Sequence, residues 1–182
     1  MCATPYHDIR KLVPLSDQFN DRLDRIKRKS VPPGAGWYPY DTLGVFDVLE
    51  AMLRDERRDL LALVDGSPVL DIGCGDGALS FFLESLGCRV TAIENPATNF
   101  NRTLGFQSLR SLLGSSAELE LQNLDAGFDL GSRTFGLAFC LGVLYHLRNP
   151  FTLLETLARH ARYCVLSTRI ASIVCSSTVN TW

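Results

Sequence analysis

The sequence predicts an α/β fold: a doubly wound, mostly parallel sheet of about five strands. Two observations carry this prediction. A short apolar strand at residues 69–72 runs into a stretch with glycine at every second position, and apolar residues at helical spacing follow it. A second, almost wholly apolar run, Phe135 to Leu141, suits a central strand that helices cover on both faces. Strands that alternate with helical segments in this way form parallel sheets.

The first third of the chain predicts helices that cover this sheet. Apolar residues recur at near-helical spacing between Leu43 and Val64, which indicates one or two amphipathic helices, and the charged run at residues 55–59 indicates a solvated face or a bend. An aromatic cluster, residues 37–41 (WYPYD), stands immediately before them. Such a cluster more often fixes the entry of a helix than binds a substrate, although Tyr38 and Tyr40 carry polar tips and could close over a site.

The glycine stretch at residues 73–77 indicates a nucleotide-handling loop, because glycine lets the backbone turn tightly and approach a ligand. Two kinds of cofactor use such a loop. Gly73, Gly75 and Ala78 satisfy the dinucleotide pattern G-x-G-x-x-G/A, in which pyrophosphate lies at a helix N-terminus, as in a nicotinamide-dinucleotide-binding domain of oxidoreductase type. Together with Asp71, the same residues read D-x-G-x-G-x-G, and a carboxylate here favours a cationic ligand over an anionic one. The glycine pattern alone is weak evidence.

The next strand, residues 89–93, ends in Glu94, twenty-three residues after Asp71. In a sheet of this kind, a carboxylate at the tip of the second strand accepts hydrogen bonds from ribose hydroxyls; the alternative is an exposed acid at a strand end. Asn95-Pro96 supplies a possible cap and first turn of a helix that ends near Leu113, with Gly114 as its C-terminal stop.

The remaining elements complete the sheet. The strict alternation of residues 118–122 predicts an edge strand. The strand Phe135 to Leu141 leads into residues 141–147 (LGVLYHL), which should face the same crevice as the glycine loop, because ligands bind at the carboxyl ends of such strands. Asn149-Pro150 begins a helix, with its apolar positions at Phe151, Leu154, Leu157, Ala158 and Ala161, and residues 163–168 form a fifth strand.

Four segments together resemble the class I S-adenosylmethionine-dependent methyltransferases related to the tRNA wobble-uridine 5-oxyacetic acid enzymes. They are the aromatic cluster, residues 71–77, residues 94–96 and residues 142–150 (GVLYHLRNP), and the resemblance covers about residues 37 to 170. It implies a Rossmann-like fold and S-adenosyl-L-methionine as the cofactor. The implied cofactor-binding residues are Asp71, Gly73, Cys74, Gly75, Gly77, Glu94, Asn95, Asp125, Leu141 and Gly142.

Roles at the reaction centre follow from the cofactor. The resemblance places Asp125 against the adenine amino group, while Asp-Ala-Gly is equally good turn chemistry. If the methyl acceptor must lose a proton, His146 is the first candidate base and Tyr145 the second. The alternatives are a positioning role for His146 and packing of Tyr145 against the methionine portion. The acceptor is expected to be a tRNA base or a small molecule.

The sequence departs from the family at two places. Wobble-uridine enzymes tend to have two consecutive basic residues after Tyr-His, whereas Leu147 and then Arg148 stand here, so ordinary S-adenosylmethionine is expected rather than a carboxylated form. Only fourteen residues follow the fifth strand, so we expect a sheet incomplete at the C-terminus. Its last strand should then be open to a makeshift strand at residues 173–179 or to self-association.

Composition sets the remaining expectations. Residues 1–36 carry seven Lys/Arg against four Asp/Glu, so we predict a basic N-terminal segment and linker there and a cofactor-binding domain over residues 37–182. The six cysteines lack a C-x-x-C pattern and the three histidines lack ligand spacing, so no metal site and a cytoplasmic location are expected. No membrane association is expected, because the longest uncharged apolar run, residues 137–145, is far below the roughly 20 residues of a membrane helix.

Overall fold

The computed structural model describes residues 8–30, 34, 36–126 and 128–170. Five parallel strands form one sheet in the order β3-β2-β1-β4-β5. The strands are β1 (Val69–Ile72), β2 (Val90–Glu94), β3 (Glu118–Leu121), β4 (Phe135–Leu141) and β5 (Ala161–Ser167). The helices are α1 (Ile9–Lys29), α2 (Val45–Met52), α3 (Leu60–Val64), α4 (Ala78–Ser85), α5 (Leu104–Leu113) and α6 (Pro150–His160). The predicted fold class is confirmed.

Alternate residues of the central strands bury their side chains on opposite faces of the sheet, as the two-residue period of a strand requires. Val69 and Leu137 belong to a core shared with helices α1 to α5, whereas Leu70 and Ala138 belong to a second core shared with α6. Helices therefore cover both faces, which explains why β4 is apolar and why β1 is apolar apart from Asp71.

Helix α1 packs into the larger core. Ile9, Leu12, Phe19 and Leu23 are buried, and the Phe19 ring lies 5.6 Å from the Phe82 ring on α4. Asp8 caps the helix by accepting a hydrogen bond from the Arg10 backbone N–H. The sequence analysis placed this helix in a separate basic segment ending at residue 36, and that boundary stays a prediction.

Three sequence expectations are wrong in detail. The helix expected to start at Asn95-Pro96 starts at Leu104. The Asn95 side chain accepts from the Ala97 N–H as a cap would, but only a turn follows it. Arg102 and Thr103 then adopt positive φ angles of 56° and 66°, which no helix tolerates. The fifth strand begins at Ala161, directly after α6, and not at residue 163.

The third error is the end of α6, which the sequence extends to Ala161 and the structure places at His160. Leu153, Thr156 and Leu157 are buried, whereas Phe151, one of the apolar positions named from the sequence, is 71% exposed. Successive helix residues are turned by about 100°, so Phe151 lies about 200° from Leu153, on the opposite side. The predicted edge position of β3, the end of α5 at Leu113 and the helical start after Gly77 are confirmed.

Candidate functional site

The direction of strand progression reverses between β1 and β4, since β2 and β3 lie to one side and β5 to the other. Ligands of such sheets bind in the crevice at the carboxyl ends of the strands at this point. Two segments border it here: the glycine loop, residues 73–77, and the wall segment, residues 141–149. A Cβ placed on Gly73 would overlap the Val143 side chain, so the two segments are in direct contact.

The glycine loop has a backbone that other residues would strain. Gly73, Gly75 and Gly77 have φ angles of 72°, 58° and 84°, all in the left-handed region. A Cβ on Gly75 would also lie only 3.0 Å from the Tyr38 ring. A Cβ on Gly77 would overlap the Phe106 ring, so all three glycines are required both by conformation and by the close approach of a neighbouring side chain.

Glu94, at the tip of β2, braces the glycine loop. Its Oε2 accepts a hydrogen bond from the Gly75 N–H at 2.8 Å, and its Oε1 accepts from the Asn95 N–H at 2.9 Å. Burial raises the pKa of this carboxyl group, and the two backbone hydrogen bonds oppose that rise. A carboxylate has about four acceptor sites. Because the Asn99 side chain also hydrogen-bonds Glu94, the carboxylate retains acceptor capacity for a ligand hydroxyl group.

Asp71 and Cys74 are buried in the same region. Asp71 is 3% exposed, and its Oδ2 accepts a hydrogen bond from the Ser80 hydroxyl at 2.6 Å. Burial raises the pKa of Asp71 to about 7, against the Ser80 hydrogen bond. Burial likewise raises the pKa of the Cys74 thiol well above its usual value, so the thiol is neutral. Because Asp71 is almost fully buried, it has little surface with which to contact a ligand, and its main influence on one would be electrostatic.

Asn95 and Asp125 make turn and loop contacts. The Asn95 side chain is engaged by the Ala97 N–H at 3.1 Å, and Asp125 Oδ1 accepts from the backbone N–H of Arg148 at 2.9 Å. Asp125 is exposed and ties the end of β3 to the wall segment. Contacts of either residue with a cofactor stay predictions.

The wall segment presents Tyr145 and His146 to solvent. Residues Leu144–His146 form a 3-10 turn in which the His146 N–H donates to the Val143 carbonyl at 2.9 Å. The two rings are 4.2 Å apart, both side chains are exposed, and the Arg169 guanidinium lies 5.1 Å from the centre of the Tyr145 ring. Gly142, with a φ of 69°, starts the turn after Leu141. Both predicted catalytic side chains are therefore accessible at the carboxyl end of β4.

The sequence analysis gave no role to two buried residues at the glycine loop. Asp76 and Asn101 are each 3% exposed and are joined by a hydrogen bond of 2.8 Å between Asp76 Oδ1 and Asn101 Nδ2. The available signal was an acid placed between Gly75 and Gly77, since a buried carboxylate needs partners. Its partner lies 25 residues away, and no local pattern identifies it.

Other features of the surface lie outside this crevice. One pocket of about 460 Å³ is lined by residues of α1 and α4, and another of about 400 Å³ lies at the opposite, amino ends of β2 and β4. Neither includes a residue of the glycine loop or of the wall segment, so the candidate site is identified by its chemistry and topology. Within the described ranges, no cluster of three or more His, Cys, Asp or Glu residues could hold a metal ion, and no helix is long and apolar enough to cross a membrane.

Comparison with known proteins adds to this geometry. A family model described as "Methyltransferase domain" matches residues 39–178. The tRNA U34 carboxymethyltransferase of Campylobacter hominis is 32% identical over 123 residues, which is 63% of this chain and 42% of that protein.

Two solved structures share the fold. The crystal structure of EvdMO1 superposes with a TM-score of 0.53 at 22% identity, over 82% of this chain and 34% of that one. The N-terminal domain of EvdMO1 with SAH bound gives a TM-score of 0.51 at 20% identity, over 78% and 62% of the two chains. This chain thus spans less than half of the carboxymethyltransferase and about a third of the longer EvdMO1 chain.

Proposed function

The chain belongs to the methyltransferase-domain family, as its sequence predicts, and we propose that it transfers a methyl group from S-adenosyl-L-methionine to an acceptor. One structural observation supports this cofactor above all: the glycine loop is surrounded by acids, and the N–H groups of Gly73, Gly75 and Gly77 already donate hydrogen bonds within the protein. Gly75 donates to Glu94, and the Asp76 carboxylate lies within the loop.

This arrangement fits a cationic cofactor and disfavours a dinucleotide. A pyrophosphate bound to a glycine loop needs free backbone N–H groups and an electropositive helix start. Here the middle glycine donates to a carboxylate. Asp76 is buried and Glu94 is partly buried, so water screens their charges poorly. The α-ammonium and sulfonium groups of S-adenosylmethionine suit such a field. The nicotinamide-dinucleotide alternative from the sequence analysis therefore lacks support from both the site and the family match.

The cofactor would lie across the crevice with its ribose at β2. Glu94 is assigned to the ribose hydroxyls, since it retains acceptor capacity after bracing Gly75. The loop backbone is kept open to the ligand by Gly73, Gly75 and Gly77, which have no side chains. Gly142 likewise leaves the backbone accessible at the end of β4. Asp71, Cys74, Asn95, Asp125 and Leu141 complete the proposed cofactor-binding set.

The chemistry requires little beyond positioning. Bound S-adenosylmethionine supplies a methyl group that its sulfonium already makes electrophilic. The protein then has to hold the acceptor in line with that methyl group and exclude water. If the acceptor nucleophile carries a proton, the exposed imidazole of His146 is the first candidate to remove it, and the Tyr145 phenol is the second.

The acceptor is proposed to be a tRNA base or a small molecule. The carboxymethyltransferase relative supports a tRNA base, although the match covers 42% of that protein. Incubation with methyl-labelled cofactor and either total tRNA or a metabolite extract would identify the class. Retained cofactor binding without transfer to any acceptor would instead favour an inactive interaction module. A cytoplasmic location belongs to the same proposal, and it is supported by the four free cysteines among the described residues.

Isothermal titration with S-adenosylmethionine and S-adenosylhomocysteine tests the cofactor assignment. We expect both to bind and Glu94→Gln to weaken binding about 10- to 100-fold, since hydrogen bonds to a charged group are worth about 1.5–3 kcal/mol. Glu155→Gln is the matched control, because Glu155 is an exposed residue of α6. The proposal would be refuted by a heat of binding with a nicotinamide dinucleotide together with no heat of binding for either S-adenosyl compound.

A further inference from the structure

A short segment containing Tyr38 is held against the glycine loop by two side chains, one from the loop itself and one from the turn that precedes α5. Asp76 Oδ2 accepts a hydrogen bond from the Tyr38 backbone N–H at 2.7 Å, while Asp76 Oδ1 accepts from Asn101 Nδ2 at 2.8 Å. A buried carboxylate is costly unless it is hydrogen-bonded. Both oxygens of Asp76 are satisfied in this way, so the network can persist in the folded protein.

Asn101 extends the network to three parts of the chain. Its Nδ2 also donates to the Gly36 carbonyl at 3.0 Å, and its Oδ1 accepts from the Gly105 N–H at 3.1 Å. A Cβ on Gly105 would overlap the Asp76 carboxylate. The backbone around Tyr38 is thus held at a fixed position relative to the glycine loop.

The network places the Tyr38 ring against the loop backbone. Three ring carbons lie 3.0 to 3.3 Å from the position that a Cβ on Gly75 would occupy. The pKa of the phenol is raised, first by burial and then by the nearby Glu94 and Tyr145. The half-buried ring therefore lies close to Glu94, the proposed ribose ligand, and near Tyr145, one of the two proposed catalytic residues.

This position coincides with one part of the cofactor. The sulfonium of S-adenosylmethionine is bonded to the ribose on one side and carries the reactive methyl group on the other. If Glu94 holds the ribose and Tyr145 borders the acceptor, the sulfonium lies between them, over Gly75. The face of an aromatic ring attracts a cation, most strongly where water is excluded.

We propose, on the basis of the function proposed above, that Tyr38 contacts the cofactor sulfonium with its ring, and that Asp76 and Asn101 are positioning residues that hold it there. The ring then distinguishes the two forms of the cofactor. S-Adenosylmethionine carries the sulfonium charge, whereas S-adenosylhomocysteine has a neutral thioether at the same place. Tyr38 should favour the charged substrate form over the neutral product form.

The test is the ratio of the two dissociation constants, measured by titration for the full chain and its variants. Tyr38→Phe keeps the aromatic face and should change the ratio less than twofold. Tyr38→Leu and Tyr38→Met remove it, and each should reduce the preference for S-adenosylmethionine about 2- to 30-fold, which corresponds to a cation–π energy of about 0.5–2 kcal/mol. Tyr163→Leu, on β5 near the amino ends of the strands, is the aromatic control and should leave the ratio unchanged.

Asp76→Asn tests the positioning role, because its NH2 group must face one of two donors, the Asn101 amide or the Tyr38 N–H, and so one of the two hydrogen bonds is lost. We expect the same direction of change in the ratio as for Tyr38→Leu, with thermal melting to confirm folding. An unchanged ratio in folded Tyr38→Leu and Tyr38→Met, with the unsubstituted chain binding both ligands, would overturn the inference alone. Failure of the unsubstituted chain to bind either ligand would overturn the proposed function, and the inference with it.

Discussion

Asp71 is a buried carboxyl group at the end of β1, and its ionisation opposes folding. It is 3% exposed, and burial raises its pKa to about 7, despite the hydrogen bond from Ser80. An unfolded chain ionises the same group near a pKa of about 3.9. Between these two values the folded state holds more protons than the unfolded state, so the free energy of unfolding falls as pH rises through this window.

We therefore predict that Asp71→Asn flattens the loss of stability between pH 5 and pH 8. The ionisation of Asp71 should account for about 2–3 kcal/mol of that loss, since one pKa unit corresponds to about 1.4 kcal/mol. Glu94, whose pKa is also raised, contributes with the same sign in both proteins. Asp8 has a lowered pKa, so its contribution is lost only in acid below this window. Urea unfolding at pH 5 and pH 8 gives the free energy of unfolding at each pH. An equal fall in this free energy between the two pH values in both proteins would contradict the prediction.

At this scale the sequence predicts what local chemistry determines. The glycine loop and Glu94 were recognisable because strand, loop and spacing lie within one short stretch. The contact of Asp76 with Asn101 was not recognisable, because it joins residues 25 positions apart and depends on how α5 packs against the sheet. The same holds for Tyr38, whose backbone N–H is bound by an acid 38 positions later.

Helix α1 shows how element packing can override a pattern of charge. Its basic residues suggested a separate segment, yet Phe19 is buried and lies against Phe82 of α4. Elsewhere the sequence located helices correctly and misjudged their limits. The turn after β2 ends in two left-handed residues, Arg102 and Thr103, and neither residue type signals such a conformation.

We predict that Phe19→Ala lowers the free energy of unfolding by about 3–5 kcal/mol, the usual cost of removing a buried phenylalanine ring. Gln18→Ala, at an exposed position of the same helix, should change it by less than about 0.5 kcal/mol. Urea unfolding followed by circular dichroism provides both values. Equal effects of the two substitutions would show that α1 is not part of the core, and would support a boundary at residue 36.

Across the whole molecule, the two edges of the sheet differ in how they are protected. Strand β3 carries Glu118 and Glu120, and the latter is paired with Arg133. Charged side chains of this kind discourage pairing with another sheet. Strand β5 pairs only with β4 among the described residues, and it exposes Tyr163 and Leu166 at 41% and 43%. The segment expected from the sequence to cover β5, residues 173–179, lies outside the described residues.

An edge with unpaired backbone groups beside apolar side chains invites pairing with a second copy of the chain. We therefore predict concentration-dependent self-association through β5, visible by sedimentation velocity. Leu166→Lys should shift the protein towards monomer, because it places a charge on the pairing strand. Leu112→Lys is the matched control, since Leu112 is 52% exposed on α5, and it should leave the association unchanged. A monomer at every concentration, or the same association in Leu166→Lys as in the unsubstituted chain, would show that the β5 edge does not carry the contact.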